Sequence, residues 1–328
     1  MKAWYIESAN SMELIDLPFS DEVYDREVLV RNVSYCLCNG SDPGIFNGNA
    51  GYSFPMIFGH ESGGYIEKIG SCVTEFKVGD RVSWWCTIGT FSEYSKVNID
   101  HAAVVKTPDC LDDKYISILE LVIASSRALM PFMNGSELAD EHKNKNLLIV
   151  GLGPSGLVIT QLAKYLGFKN VYGWDLYELR RNLALKFGIA KVADPLSEDF
   201  PETISQWEDA DIGIDMMDDD KSPNCDTFDN LIKKMKGSGR IVSYGHPEHG
   251  RRFSPHLFQG RNLSMSVPEN NIARIREYAE IVMELIQAGH VKVEPLATHE
   301  TDFSQVKDLF YQMLDDPGKF IKIIFTRS

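Results

Sequence analysis

The chain has 328 residues, 44% of them hydrophobic and 24% charged, with 47 acidic against 33 basic side chains and a net charge of −14. That length is too great for one ordinary core, so two domains are expected. The acidity argues against a nucleic-acid or anionic-membrane partner, both of which need a basic footprint, and no apolar run approaches the roughly 18 residues that span a bilayer.

The first residues, Lys2-Ala-Trp-Tyr-Ile6, already read as a strand and carry no basic-then-apolar leader. A cytoplasmic protein is expected. The six cysteines are Cys36, Cys38, Cys72, Cys86, Cys110 and Cys225; in that setting each is a buried thiol or a metal ligand, not part of a disulfide framework. Up to about residue 105 the signals are of β type. Glu27 to Tyr35 alternates as a strand, Val78 to Val82 reads as a turn between strands, and short runs are punctuated by Gly, Pro and Asp. They predict a compact, partly open barrel.

Within that stretch lies Cys38-Asn-Gly-Ser-Asp42, and further on Gly59-His-Glu-Ser-Gly-Gly-Tyr-Ile-Glu-Lys-Ile-Gly-Ser-Cys-Val73. Here an imidazole and a carboxylate, His60 and Glu61, stand side by side among glycines that permit close backbone approach. Glu120 follows in Leu119-Glu-Leu-Val-Ile-Ala-Ser-Ser-Arg-Ala128. The aromatics Phe46, Tyr52, Trp84 and Trp85 are candidate pocket walls, although core is the commoner fate of aromatics at such spacing.

From about Asn146 the pattern changes to strands alternating with helices, which predicts a parallel, doubly wound sheet. The preceding segment, Asn134 to Lys145, reads as a long polar loop. Leu147 to Val150 is a short apolar run, then Gly151-Leu-Gly-Pro-Ser-Gly156 opens a segment with apolar residues at helical spacing. A G-x-G-x-x-G turn between strand and helix is a dinucleotide cradle. Gly151 makes the tight turn, Gly153 admits the pyrophosphate, Gly156 allows close packing, and Pro154 and Ser155 begin the helix whose N–H groups meet the phosphates.

Asp175 ends the next strand, where an acid meets the adenosine ribose and repels a 2′-phosphate; capping the following helix is its other reading. Arg180 and Arg181 are placed to hold a 2′-phosphate instead, but Asp175 favours NAD. Asp218 to Asp220 reads as a solvated turn, and Arg251 and Arg252 as a solvated loop. The tail carries helix-like Ile272–Ala288 and Phe303–Leu314, and a last strand Ile321–Phe325.

The spacing G-H-E-x-x-G-x-x-x-x-x-G-x-x-V, with the glycine turn after it, resembles the signature of zinc-dependent alcohol dehydrogenases in the medium-chain dehydrogenase/reductase family. The resemblance covers nearly the whole chain. It implies an α/β protein with a GroES-like, β-rich catalytic domain (1–123 and 269–328) and a Rossmann domain (124–268) with a doubly wound parallel sheet. It also implies one catalytic zinc, with Cys38 matching the family's first ligand, His60 the second, and Glu61 and Glu120 supplying carboxylates. Ser41 would then accept the substrate proton beside the catalytic Cys38, His60 and Glu61.

Four departures stand out. One extra residue separates Cys38 from Ser41, Leu121 replaces the proline after the glutamate, Gly44 replaces a proton-relay histidine, and Cys86 stands where a four-cysteine lobe would hold a structural zinc. The expectation is hydride transfer between NAD(H) and a secondary alcohol or ketone of polyol or sugar type, by a homodimer or homotetramer. An NADP-dependent aldehyde or ketone reductase and a non-catalytic dinucleotide-binding member are the alternatives.

Overall fold

The chain falls into two units, Met1–Ala124 with Asn271–Ser328, and Ser125–Asn270. A computed structural model describes residues 1–218, 226–245 and 250–327, so Asp219, Asp220 and Cys225 lie outside the described residues.

The early alternation becomes strands β1 (Lys2–Ile6), β2 (Met12–Asp16) and β3 (Glu27–Cys36). A short helix, α1 (Ser41–Asn47), then opens directly after Cys38, and Gly48 closes it in the left-handed region at φ 85°. Strands β4 (Met56–Ile57), β5 (Glu61–Ile69), β6 (Arg81–Trp85), β7 (Tyr94–Asn98) and β8 (Ala103–Lys106) follow, and helix α2 (Ile118–Ser126) carries Glu120.

β3 and β5 pair antiparallel with Cys36 opposite Glu61. That register sets the end of one strand beside the start of the other, which brings Cys38 and His60 together. Gly59 fixes how the chain enters β5. It sits at φ 76°, and a Cβ there would lie 2.0 Å from the Phe91 ring. Gly59→Ala is therefore expected to destabilise the fold by about 3 kcal/mol, from the left-handed backbone and the clash together. Denaturant unfolding would measure it, and an unchanged midpoint would refute the packing argument.

In the second unit the segment read as a polar loop instead forms a small hairpin. β9 (Met133–Asn134) and β10 (Glu137–Leu138) pair around Gly135, and burial of Leu138 holds the hairpin down. Then come β11 (Asn146–Val150), α3 (Pro154–Leu166), β12 (Asn170–Trp174), α4 (Glu178–Lys186), β13 (Lys191–Ala193), α5 (Phe200–Ser205), β14 (Ala210–Asp215), α6 (Thr227–Lys234), β15 (Met235–Ser243) and β16 (Ser264–Ser266). The six strands run parallel in the order β13-β12-β11-β14-β15-β16. Strand order reverses between β11 and β14, the kind of crevice where doubly wound sheets bind ligands.

The tail forms α7 (Ile272–Gln287), β17 (Ala297–Asp302), α8 (Val306–Asp315) and β18 (Lys322–Thr326). Its last strand joins the first unit's seven-stranded sheet, ordered β17-β18-β3-β5-β6-β8 with β7 on β3. Phe303, Phe310 and Phe325 share one aromatic core with Trp4, Tyr35, Phe46, Phe58 and Phe91. Rings such as Phe58 and Phe310, 5.5 Å apart edge to face, make truncation of any one of them costly, about 3–5 kcal/mol. Among the described residues no helix is long and apolar enough to cross a membrane.

Candidate active site

Cys38, His60 and Glu61 place one donor atom each within 4.8 Å of one another, a thiol, an imidazole and a carboxylate suited to zinc. Asp42, fully buried on α1, assembles them. One of its oxygens accepts the Cys38 N–H at 2.8 Å, and the other lies 3.1 Å from His60 Nδ1. With Nδ1 beside Asp42, Nε2 is the nitrogen left to ligate a metal. Burial opposes charge on His60, yet Asp42 and Cys38 outweigh it and hold its pKa well above the ordinary histidine value. The residues fit a metal.

Ser41 begins α1 and is exposed, with its Oγ 3.6 Å from Cys38 Sγ and its N–H donating to that sulfur at 3.4 Å. Glu120 is buried on α2 but stands outside the group of three. Burial, with Glu61 and Asp42 against the pull of His60 and Lys322, pushes its carboxyl up to about 8. Burial likewise raises Glu61, with Lys322 and His60 opposing. Among the described residues no other cluster of three such donors is present.

In the second unit, Gly151 stands at φ 93° and a Cβ on Gly156 would lie 2.1 Å from the Gly151 carbonyl oxygen. Only glycine fits at both places. Gly153 is the N-cap of α3 and Pro154 and Ser155 its first residues; no side chain caps the helix, so its leading N–H groups remain for a phosphate. Asp175 is nearly buried at the end of β12. Its oxygens accept the Leu152 and Tyr177 N–H groups, each at 2.8 Å, which ties the strand to the glycine turn. A carboxylate retains further lone pairs for ribose hydroxyls. Tyr177, not Asp175, is the N-cap of α4. Arg180 lies over the Tyr177 ring at 4.5 Å, with Nη1 3.6 Å from Asp175.

Residues 24–109 match the family model of the alcohol dehydrogenase GroES-like domain, and residues 154–288 that of the zinc-binding dehydrogenase domain. The chain belongs to the zinc-dependent medium-chain dehydrogenases. It is an oxidoreductase with a GroES-like and a Rossmann-type domain. L-threonine 3-dehydrogenase of Rhizobium etli is 28% identical, over 92% of this chain and 91% of the relative. Two solved structures share the fold. Escherichia coli galactitol-1-phosphate dehydrogenase has a TM-score of 0.84 at 19% identity, covering 99% of this chain and 100% of its own. An E. coli CFT073 alcohol dehydrogenase solved with NADH has 0.83 at 23%, covering 99% of each.

Some side chains of this dehydrogenase lie elsewhere than the sequence implied. Trp84 and Phe46 are core and not pocket wall, while Trp85 is half-buried and Tyr52 exposed. Arg251 is no solvated loop residue. Its Nη2 lies 2.9 Å from the fully buried Asp215, because a carboxylate at the end of a central strand requires a counter-charge. Even so, burial pushes the Asp215 carboxyl up to about 6 against the pull of Arg251. Sequence reasoning missed Lys322, which is 1% exposed and reaches Glu61 at 2.6 Å. Burial alone would discharge it; Cys36, Glu61 and Cys38 keep its pKa above the ordinary lysine value. The available signal was one charged residue in the apolar run Phe320-Ile-Lys-Ile-Ile-Phe325.

Proposed function

We propose that this dehydrogenase passes a hydride between NAD(H) and a secondary alcohol or ketone of polyol or sugar type, at one zinc held by Cys38, His60 and carboxylate help from Glu61 and Glu120. The observation that carries this reading is the convergence of three donor atoms within 4.8 Å. Zinc, when bound, supplies Lewis-acid polarisation of the substrate oxygen. The chain's own residues do the rest. Asp42 fixes the ring of His60, and Ser41 takes the hydroxyl proton, since Gly44 offers no imidazole. Relatives named for L-threonine 3-dehydrogenation and galactitol-1-phosphate dehydrogenation support a small polar alcohol. A panel of cyclic and acyclic polyols with NAD tests the reading; no turnover of any would contradict it.

The cofactor assignment rests on Asp175. A 2′-phosphate would meet its carboxylate, so NAD is expected to bind at least about tenfold more tightly than NADP, as like-charge contacts cost several kcal/mol. Asp175→Ala is expected to relax that preference, with Arg180 then helping to hold the phosphate. One observation favours the NADP reading: Arg180 already lies 3.6 Å from Asp175 and offsets part of its charge. Tighter binding of NADP by the unaltered protein would decide for it.

Subunits associating through the sheet edge, as a homodimer or homotetramer, complete the reading. The edge strand β16 and its exit expose Met265 and Val267, which supports it. Light scattering that gives a monomer would remove this part.

A further inference from the structure

Asn39 has no part in the chemistry above, yet it follows Cys38 directly, which puts the two Cα atoms about 3.8 Å apart. The turn that carries it is tied at both ends. The Asp42 N–H donates to the Cys38 carbonyl at 3.3 Å, and the Ser41 N–H to Cys38 Sγ at 3.4 Å. Asn39 and Gly40 thus fill a turn one residue longer than the family pattern, between the candidate metal donor and the candidate proton acceptor. Asn39 is half-buried, but both polar atoms of its carboxamide are shielded from water. Neither has a hydrogen-bond partner among the described residues. Shielding a donor and an acceptor without partners costs folding free energy, and a leucine of the same shape would avoid that cost. Stability does not account for asparagine here.

We propose that Asn39 is a specificity-determining residue that hydrogen-bonds the hydroxyl on the carbon next to the reacting one, so that vicinal diols are the substrate class. Its carboxamide offers a donor, Nδ2, and an acceptor, Oδ1. Hydroxyls both accept and donate, so a diol or longer polyol satisfies both ends. A substrate carboxylate only accepts and an ammonium only donates, and either would leave one end unpaired. The torsion that turns a carboxamide is broad and roughly two-fold, so the group swings to a ligand at little cost. The inference rests on the polyol reading of the site.

The test compares the parent holoenzyme with Asn39→Leu in three measurements: kcat/KM for 2,3-butanediol and sorbitol against 2-butanol, NAD affinity, and the thermal midpoint. Asn39→Leu is expected to lower kcat/KM for the diol substrates by about tenfold or more, because a site built to bond a hydroxyl loses that bond. Oxidation of 2-butanol, which lacks the second hydroxyl, is expected to stay near the parent, as is NAD affinity. The thermal midpoint is expected to hold or rise, since an unpartnered polar group is removed. An equal loss on diols and 2-butanol overturns the proposal, as does a loss that follows weakened NAD binding. A lowered midpoint shows the carboxamide already paired in the free protein. Asn39→Ala is then read in its place, to set aside a clash of the branched leucine, and destabilisation of both variants overturns the proposal. A parent that oxidises none of the three alcohols fails the polyol reading itself. A parent that oxidises diols, with its preference unchanged in the variants, fails this inference alone.

Discussion

Replacing His60 by alanine is expected to lower NAD-dependent alcohol oxidation by on the order of 10³-fold or more, because several kcal/mol of transition-state stabilisation leave with the metal. The effect is large for two reasons. Among the described residues His60 is one of three converging donors, and its Nδ1 lies 3.1 Å from Asp42. Neither carboxylate replaces the lost imidazole, since Glu61 and Glu120 already assist the metal in this reading and Glu61 is also paired to Lys322. Asp42→Asn should act more gently, weakening metal affinity by about 10–100-fold, the scale for an outer partner of a ligating histidine. Steady-state kinetics and metal content of the two variants check this together. Retention of full turnover by His60→Ala would remove the metal from the account.

Ser41→Ala is expected to cut turnover by about 10²-fold or more, the scale for losing a positioned proton-transfer group. NAD affinity should stay near that of the parent, because the proposed cradle residues Gly151, Gly153, Gly156 and Asp175 belong to the second unit and Ser41 to the first. The residue inserted after Cys38 does not carry Ser41 away: its Oγ stays 3.6 Å from Cys38 Sγ, because α1 starts one turn after the cysteine and Asp42 anchors that turn. Near-normal turnover by Ser41→Ala would assign the proton to another group and leave the metal donors untouched.

Much of this architecture is legible in the sequence, and the parts that are not share a physical cause. The change from strand alternation to alternating strands and helices near Asn146 marks real strands, β11 onwards, because periodicity reports which face is buried. His60 and Gly156 stand out because glycines cluster where backbone must pass closely, and local spacing records that constraint. What escapes is what depends on distant register. Lys322 meets Glu61 across 261 positions, and only the pairing of β18 with β3 and of β3 with β5 reveals it. The same holds for Arg251, whose partner Asp215 belongs to another strand end. Helix α1 went unseen for a different reason: seven residues beginning Ser-Asp-Pro-Gly carry too little periodicity to distinguish helix from turn.

The central claim is that Cys38, His60 and Glu61 form a single zinc centre. Its most direct test is metal content per chain of the unaltered protein, purified without chelators and measured by inductively coupled plasma mass spectrometry. One zinc per chain, lost in His60→Ala, is the expected result. No zinc, two zincs per chain, or one zinc that His60→Ala retains would contradict it.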